Sequence, residues 1–423
     1  MPADRRVVRI ARLGAQGDGV AESDAGPLYV PLTVPGDVVE IAPEPVRRGG
    51  SGRRARLVAV KEPGPGRRSP PCPHFGTCGG CALQHLDAKL YEAWAQERIC
   101  SALGHHGFDA VPIAAPLVER PGSRRRLVLK AQVAGSRVRL GFRERRAHRV
   151  VDIRGCSVAR PPLVALFDPL RDLLAQLLPP RAMAEITLTE TATGVDCLIA
   201  AAAPLALAHR ELLAAFAGER DLAAIHWSEQ GCIETVVTRR PPVMDFAAIT
   251  VPLPPGAFVQ ATAGGEAALR EAVLEWTAGT RRIADLFSGI GTFALPLARR
   301  AVVHAVEGAK ALLEALAAGA RGAEGLRQVT CEHRDLFRRP LLPHELAAFE
   351  AVVFDPPRAG AMAQAKALAQ SRVPLVIAVS CNPNTFARDA RILVDGGYRL
   401  AAIRPVDQFL WSGQVELAAR FDR

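Results

Sequence analysis

From about residue 258 the chain turns to short apolar runs alternating with helical stretches, the pattern of a parallel sheet covered on both faces. Strands are expected at 282–285, 302–306, 329–331, 351–354 and 373–379. This restricts where chemistry can sit, because open α/β sheets bind ligands beyond the carboxyl ends of their strands. Three of those ends carry polar motifs: Asp285-Leu286-Phe287-Ser288-Gly289-Ile290-Gly291-Thr292-Phe293, Asp355-Pro356-Pro357-Arg358-Ala359-Gly360 and Ser380-Cys381-Asn382-Pro383.

The first motif contains Gly289-x-Gly291-x-x-Ala294, which fits a dinucleotide fingerprint, and Glu307 stands where a ribose-binding acid is expected. A glycine turn followed by such an acid suits nicotinamide and S-adenosylmethionine alike. At the third motif an apolar run stops at a turn, and Asn384 or Thr385 can cap a helix running towards Gly396-Gly397. Cys381 would then lie at a helix N-terminus, where the dipole favours a thiolate, and it is the candidate nucleophile.

A chain of 423 residues exceeds one ordinary core, so two or three domains are expected. No apolar run is long enough to span a bilayer and the N-terminus has no signal-peptide core, which points to the cytoplasm. Nine cysteines, an odd number in a long chain, argue against a disulfide framework. The formal charge of +10 is concentrated: between Arg120 and Arg149 eleven Arg or Lys face the single acid Glu144. Arginine binds phosphate bidentately and stacks on bases, so RNA is the expected partner, with neither DNA nor a membrane, and a monomer is expected.

Residues 1–60 read as five short strands, an OB-like β-barrel, with a basic loop at 47–54 able to clamp phosphate. Residues 61–71 are a linker by composition. Cys72, Cys78 and Cys81 follow at spacings of six and three, a thiolate set suited to zinc or an iron–sulfur cluster. Cys156 is the leading fourth ligand, and His74 or His85 could instead complete a zinc site. The spacing differs from the Cys-x3-Cys-x2-Cys of radical S-adenosylmethionine enzymes. The central part, 61–255, mixes helices at 86–103, 163–178 and 205–216 with paired strands, an α+β domain in which Cys100, Cys197 and Cys232 read as packing residues. The helix around 86–104 could pack on the catalytic domain, which spans 256–423.

Gly19-Val20-Ala21 and Val34-Pro35-Gly36-Asp37-Val38-Val39 resemble the TRAM domain of RNA-modifying enzymes. The glycine loop from Asp285, the Asp355-Pro-Pro-Arg-Ala-Gly360 motif, Ser380-Cys-Asn-Pro383 and the closing Gln414-Val415-Glu416 together resemble the RNA uracil-C5 methyltransferases, most closely their bacterial 23S ribosomal RNA branch. The resemblance implies three parts: a TRAM barrel, a central iron–sulfur domain and a C-terminal Rossmann-like α/β methyltransferase. It implies S-adenosyl-L-methionine bound by Gln260, Phe287, Gly289, Gly291, Thr292, Glu307, Asp335 and Asp355. It also implies a 4Fe-4S cluster on Cys72, Cys78, Cys81 and Cys156, with Cys381 as nucleophile and Glu416 as base. The chain departs from the family pattern at Thr262, where Asn is common, and at Gln414, where His is common. Arg358 follows Pro-Pro where exocyclic-amine methyltransferases carry an aromatic residue, and the fourth motif lacks the cysteine of RNA cytosine-C5 enzymes. A transfer RNA target, a catalytically silent RNA-binding protein and a nicotinamide redox enzyme are the alternatives.

Overall fold

The computed structural model describes residues 5–24, 26–45, 52–135 and 137–423, so most of the basic loop 47–54 lies outside the described residues. The N-terminal part is a six-stranded sheet in the order Arg6–Arg9, Val38–Pro43, Arg53–Glu62, Leu28–Val30, Gly19–Ala21, Arg12–Leu13. Six strands replace the expected five because the first apolar run divides, its halves pairing with Val38–Pro43 and Gly19–Ala21. The linker-like segment that follows is fastened to this sheet. Asp37 accepts hydrogen bonds from Gly64 N at 2.8 Å, Val34 N at 2.7 Å and Arg67 Nε at 2.9 Å. Burial pushes the Asp37 carboxyl up, but these bonds outweigh it and hold the carboxyl below its ordinary range.

The central sheet runs Val150–Asp152, Arg137–Arg143, Arg126–Ala134, Met183–Thr191, Gly194–Ala201, Ala224–Glu229, Cys232–Thr238. All neighbours are antiparallel except Gly194–Ala201 with Ala224–Glu229, which helix Leu207–Glu219 connects. Leu170, Leu174, Leu213 and Phe216 of the covering helices pack on Leu129, Leu140, Ile186 and Ile199. The single helix expected at 163–178 is two, Pro161–Val164 and Phe167–Leu177. Pro169 explains the break: its ring would clash with the carbonyl four residues back, yet it is tolerated in the first turn of a new helix. Of the three cysteines expected to pack, Cys197 is buried, whereas Cys100 and Cys232 are exposed, Cys232 because it opens an edge strand.

The third sheet has eight strands, ordered Val329–His333, Val302–Glu307, Arg282–Leu286, Ala351–Phe354, Leu375–Ser380, Glu416–Asp422, Arg399–Asp407, Leu117–Val118. The first five are parallel and Glu416–Asp422 is antiparallel to both of its neighbours. Strand order reverses between Arg282–Leu286 and Ala351–Phe354, the switch point at which such sheets open a crevice. Leu269, Leu295 and Leu316 cover one face through Ile283, Val353 and Ile377. On the other face Trp94 and Ile99 of helix Ala88–Gly104 join Phe386 and Leu393 over Leu286 and Val352. Among the described residues no helix is long and apolar enough to cross a membrane.

Candidate active site

Three side chains with chemistry meet at one edge of the eight-stranded sheet. Asp355 follows Ala351–Phe354, and Cys381 follows the adjacent strand Leu375–Ser380. The next strand runs the opposite way, so its first residue, Glu416, falls at that same edge, with Leu417 paired to Ser380. Arg399–Asp407 returns there too, bringing Val406 opposite Glu416 and placing Gln408 just beyond. A chain of hydrogen bonds joins the two carboxylates. Gln260 Nε2 donates to Asp355 Oδ2 at 3.0 Å, and Gln408 Nε2 donates to Gln260 Oε1 at 2.6 Å and to Glu416 Oε2 at 2.9 Å.

Burial raises both carboxyls above their ordinary range, and Asp355 raises Glu416 further; Gln260 opposes the rise at Asp355, and Gln408 and Arg358 oppose it at Glu416. The thiol does not follow the sequence expectation. Burial, then Glu416, then Asp355 push Cys381 up to about 11, with Arg358 opposing, so the first turn of helix Pro383–Asp395 does not leave a resting thiolate. The helix cap also differs from expectation. Asn382 is the cap, accepting from Asn384 N at 3.2 Å, because Pro383 in the first turn needs no partner for an N–H.

Across the switch point lies the glycine loop. Phe287 holds φ of 58°, a left-handed conformation costly for a bulky side chain and characteristic of functional turns, and its ring lies 5.4 Å from that of Phe337. Gly289 has φ of 54° with open space where a Cβ would stand; at Gly291 (φ 98°) a Cβ would come within 2.9 Å of Leu295. Glu307, ending the neighbouring strand, accepts from Gly289 N at 3.0 Å and Ala309 N at 2.8 Å. Thr292 is half-buried in the loop, and Asp335 follows the next strand, exposed and accepting from Phe337 N at 3.0 Å. Phe287, Gly289, Gly291, Thr292, Glu307 and Asp335 therefore gather at three adjacent strand ends, with Gln260 and Asp355 on the far side of the crevice.

Two site residues escaped the sequence reading. Asp285 is wholly buried, and neither carboxylate oxygen, nor the Ser288 hydroxyl, has a hydrogen-bond partner among the described residues. Burial and Asp355 raise its carboxyl well above the usual range. Its signal was an acid closing an apolar strand. Gln408 carried a weaker one, a lone amide in Asp407-Gln408-Phe409-Leu410-Trp411. Unpartnered polar atoms beside an open glycine turn fit a polar cofactor that brings its own donors.

A family model for tRNA (uracil-5-)-methyltransferases matches residues 248–421. An RNA methyltransferase of Brucella suis biovar 1 (strain 1330) is 44% identical over 413 residues, 97% of this chain and 96% of that protein. The 23S rRNA (uracil(1939)-C(5))-methyltransferase RlmD of Pectobacterium atrosepticum is 32% identical over 100% of this chain and 94% of its own length. The chain belongs to the RNA uracil-5-methyltransferase family. The fold is shared by the Pyrococcus abyssi tRNA (uracil-54, C5)-methyltransferase, solved with S-adenosyl-L-homocysteine, at a TM-score of 0.77 and 24% identity over 99% of this chain and 100% of that one. The matched segment contains every site residue named above, from Gln260 to Glu416, while the four clustered cysteines lie outside it.

Those cysteines of this RNA methyltransferase, Cys72, Cys78, Cys81 and Cys156, are half-buried free thiols lining one cavity of about 300 Å³. Arg124, Phe409, Ser412 and Gln414 line it too. Burial raises the Cys78 and Cys156 thiols and pushes Cys81 to about 12, and neighbouring cysteines raise each of these three further. Among the described residues no three metal-capable side chains stand at coordinating separations. The donor set nonetheless fits a thiolate-bound metal, since four sulfurs share one cavity. His74 lines the same cavity and its Nε2 accepts from Arg154 N at 3.1 Å, while His85 Nε2 lies 3.2 Å from Thr33 O and its Nδ1 has no hydrogen-bond partner among the described residues.

The basic segment is partly structural. Arg125 is buried, pairs with Glu266 and donates to Gln260 O at 3.1 Å, bracing a site residue. Arg145 and Arg146 both pair with Asp18, in the turn before strand Gly19–Ala21 of the N-terminal sheet. Arg137, Arg139 and Arg143 are exposed and form no ion pair among the described residues, while Arg126 lies 6.0 Å from the ring of exposed Phe258. Thr262 caps helix Ala263–Trp276 and donates to Glu119 at 2.8 Å, a local role for this departure from the family pattern.

Proposed function

We propose that the protein methylates C5 of a uracil in 23S ribosomal RNA. The observation that carries the reading is the meeting of Cys381, Asp355 and Glu416 at one sheet edge, the two carboxylates tied through Gln260 and Gln408. The 23S target draws on the full-length likeness to RlmD. Exposed Arg137, Arg139 and Arg143, with Phe258 beside Arg126, offer the phosphate contacts and the stacking face that RNA needs. The target base must leave its stack to reach Cys381.

Uracil C5 is a poor nucleophile, so covalent activation comes first. The Cys381 thiol gives up its proton to solvent, Arg358 favouring the thiolate, as its sulfur bonds to C6 and the C5=C6 electron pair moves into the ring as an enolate. S-adenosyl-L-methionine, when bound by Gln260, Phe287, Gly289, Gly291, Thr292, Glu307, Asp335 and Asp355, supplies the methyl group that C5 takes up. Glu416 then accepts the proton remaining on C5. The C5–H electrons restore C5=C6 as the C6–S bond breaks, and the thiolate leaves. Its raised basicity suits Glu416 to this proton: a base of ordinary carboxylate strength would take it up less readily.

Cys72, Cys78, Cys81 and Cys156 would hold a 4Fe-4S cluster, which when bound ties the cysteine loop to the central sheet. The chain divides near residues 60 and 255 into a TRAM-like barrel, a central domain and the methyltransferase, with helix Ala88–Gly104 and strand Leu117–Val118 serving the last. The test is to map 5-methyluridine in 23S ribosomal and transfer RNA with and without the protein. New modification in 23S RNA supports the proposal. Modification of transfer RNA alone overturns the target, and none at all, with RNA bound, favours a silent RNA-binding protein.

A further inference from the structure

We infer that Gln408 is a positioning residue, whose amide fixes the direction of every hydrogen bond between the two carboxylates and leaves one oxygen of Glu416 open to take the C5 proton. The inference rests on the proposed role of Glu416 as base.

Gln408 is buried just past strand Arg399–Asp407. Gly265 lets it approach, since a Cβ there would lie 2.7 Å from Gln408 Cβ. Its Oε1 accepts from Ala261 N at 2.8 Å. A backbone N–H can only donate, so the amide cannot turn over without losing that bond, and Nε2 must face the other way. Its two hydrogens reach Gln260 Oε1 at 2.6 Å and Glu416 Oε2 at 2.9 Å. Gln260 Oε1 is thereby an acceptor, which turns Gln260 Nε2 towards Asp355 Oδ2 at 3.0 Å. One backbone N–H thus sets the polarity of the whole chain. Glu416 Oε1 has no hydrogen bond among the described residues, and it is the oxygen available to the substrate.

The ionisable groups facing Glu416 are Asp355, Arg358 and the Cys381 thiol. Against them Gln408 supplies a neutral hydrogen bond that favours the carboxylate over the acid. Without it Glu416 would hold its proton to still higher pH, and a smaller fraction would stand as the carboxylate base at neutrality.

The test uses the full-length protein, S-adenosylmethionine and a uridine-containing RNA substrate, following the covalent adduct by denaturing gel across pH. Gln408→Met keeps the volume and removes the amide; the adduct should form as in the wild type but decay about tenfold more slowly at pH 7. Its decay should recover at alkaline pH, the base limb of the profile having moved upward. Gln408→Asn keeps the polarity but is too short to reach, and should shift the same way, which decides the matter if the methionine variant does not fold. Glu416→Gln is the reference and should stall the adduct at every pH. If it stalls while both Gln408 variants keep the wild-type profile, the role of Gln408 is overturned and that of Glu416 stands. If Glu416→Gln turns over normally, the underlying reading fails and this inference with it.

Discussion

The catalytic crevice and the cysteine cavity both hold ionisable side chains out of water, and they treat them differently. In the crevice the two carboxylates beside Cys381 are supplied with donors by the chain itself, Asp355 from Gln260 and Glu416 from Gln408, unlike Asp285. In the cavity burial and the neighbouring cysteines raise the Cys78, Cys81 and Cys156 thiols, Cys81 to about 12, and a bond such as that from Gly80 N to Cys78 Sγ at 3.4 Å relieves little of this. A self-satisfied network is organised before any ligand arrives. A nest of neutral thiols becomes a ligand set only when a metal displaces the protons. The residues from Asp407 to Glu416 connect the two: Gln408 stands in the crevice, whereas Ser412 and Gln414 line the cavity.

Removing the nucleophile breaks this comparison most severely. Cys381→Ala should bind RNA yet give neither covalent adduct nor 5-methyluridine, read by denaturing gel and nucleoside analysis; methylation at an undiminished rate would remove Cys381 from the chemistry. Glu416→Gln ranks next, with turnover lower by about 10²–10⁴ and the methylated adduct accumulating. The cavity is probed by replacing Cys78 and Cys81 together with serine. Bound iron, measured by absorbance and metal analysis of anaerobic protein, should be lost, and the melting temperature should fall by roughly 2–4 °C per kcal/mol of binding energy forgone. Zinc without iron or sulfide in the unaltered protein would refute the cluster.

The parallel strands and the polar motifs at their ends were legible because buried strands are apolar runs and their carboxyl ends are where chemistry collects. What escaped depends on register between distant segments. Gln408 matters because Val406 pairs with Glu416 and Ala261 offers its N–H, neither of which is local in sequence. The helix N-terminus pointed to a thiolate at Cys381, whereas burial and the two carboxylates outweigh one turn of dipole and raise the thiol. Composition likewise marked residues 61–71 as a linker, whereas Asp37 fastens Gly64 and Arg67 through bonds between parts of the chain far apart in sequence.

The smallest effect is expected where the two regions are joined. Tyr91 donates from its hydroxyl to Asp407 and accepts from Trp411 N at 2.8 Å, while Trp411 O receives Ala82 N at 2.7 Å and Leu83 N at 3.1 Å beside the cysteines. Burial pushes Asp407 up to about 6, and the Tyr91 hydroxyl limits that rise. An acid whose folded pKa is raised contributes stability that is fully present below its unfolded pKa, near 4, and lost as pH climbs through about 6. Tyr91→Phe removes a donor that favours the carboxylate, so its cost should be greater where Asp407 is ionised. Chemical denaturation should show a loss of about 1–3 kcal/mol at pH 8 and a smaller one at pH 4. Equal losses at both pH values would mean that the hydroxyl does not serve the carboxylate, and that the segment from Asp407 to Glu416 is held to the cysteine side by its backbone bonds alone.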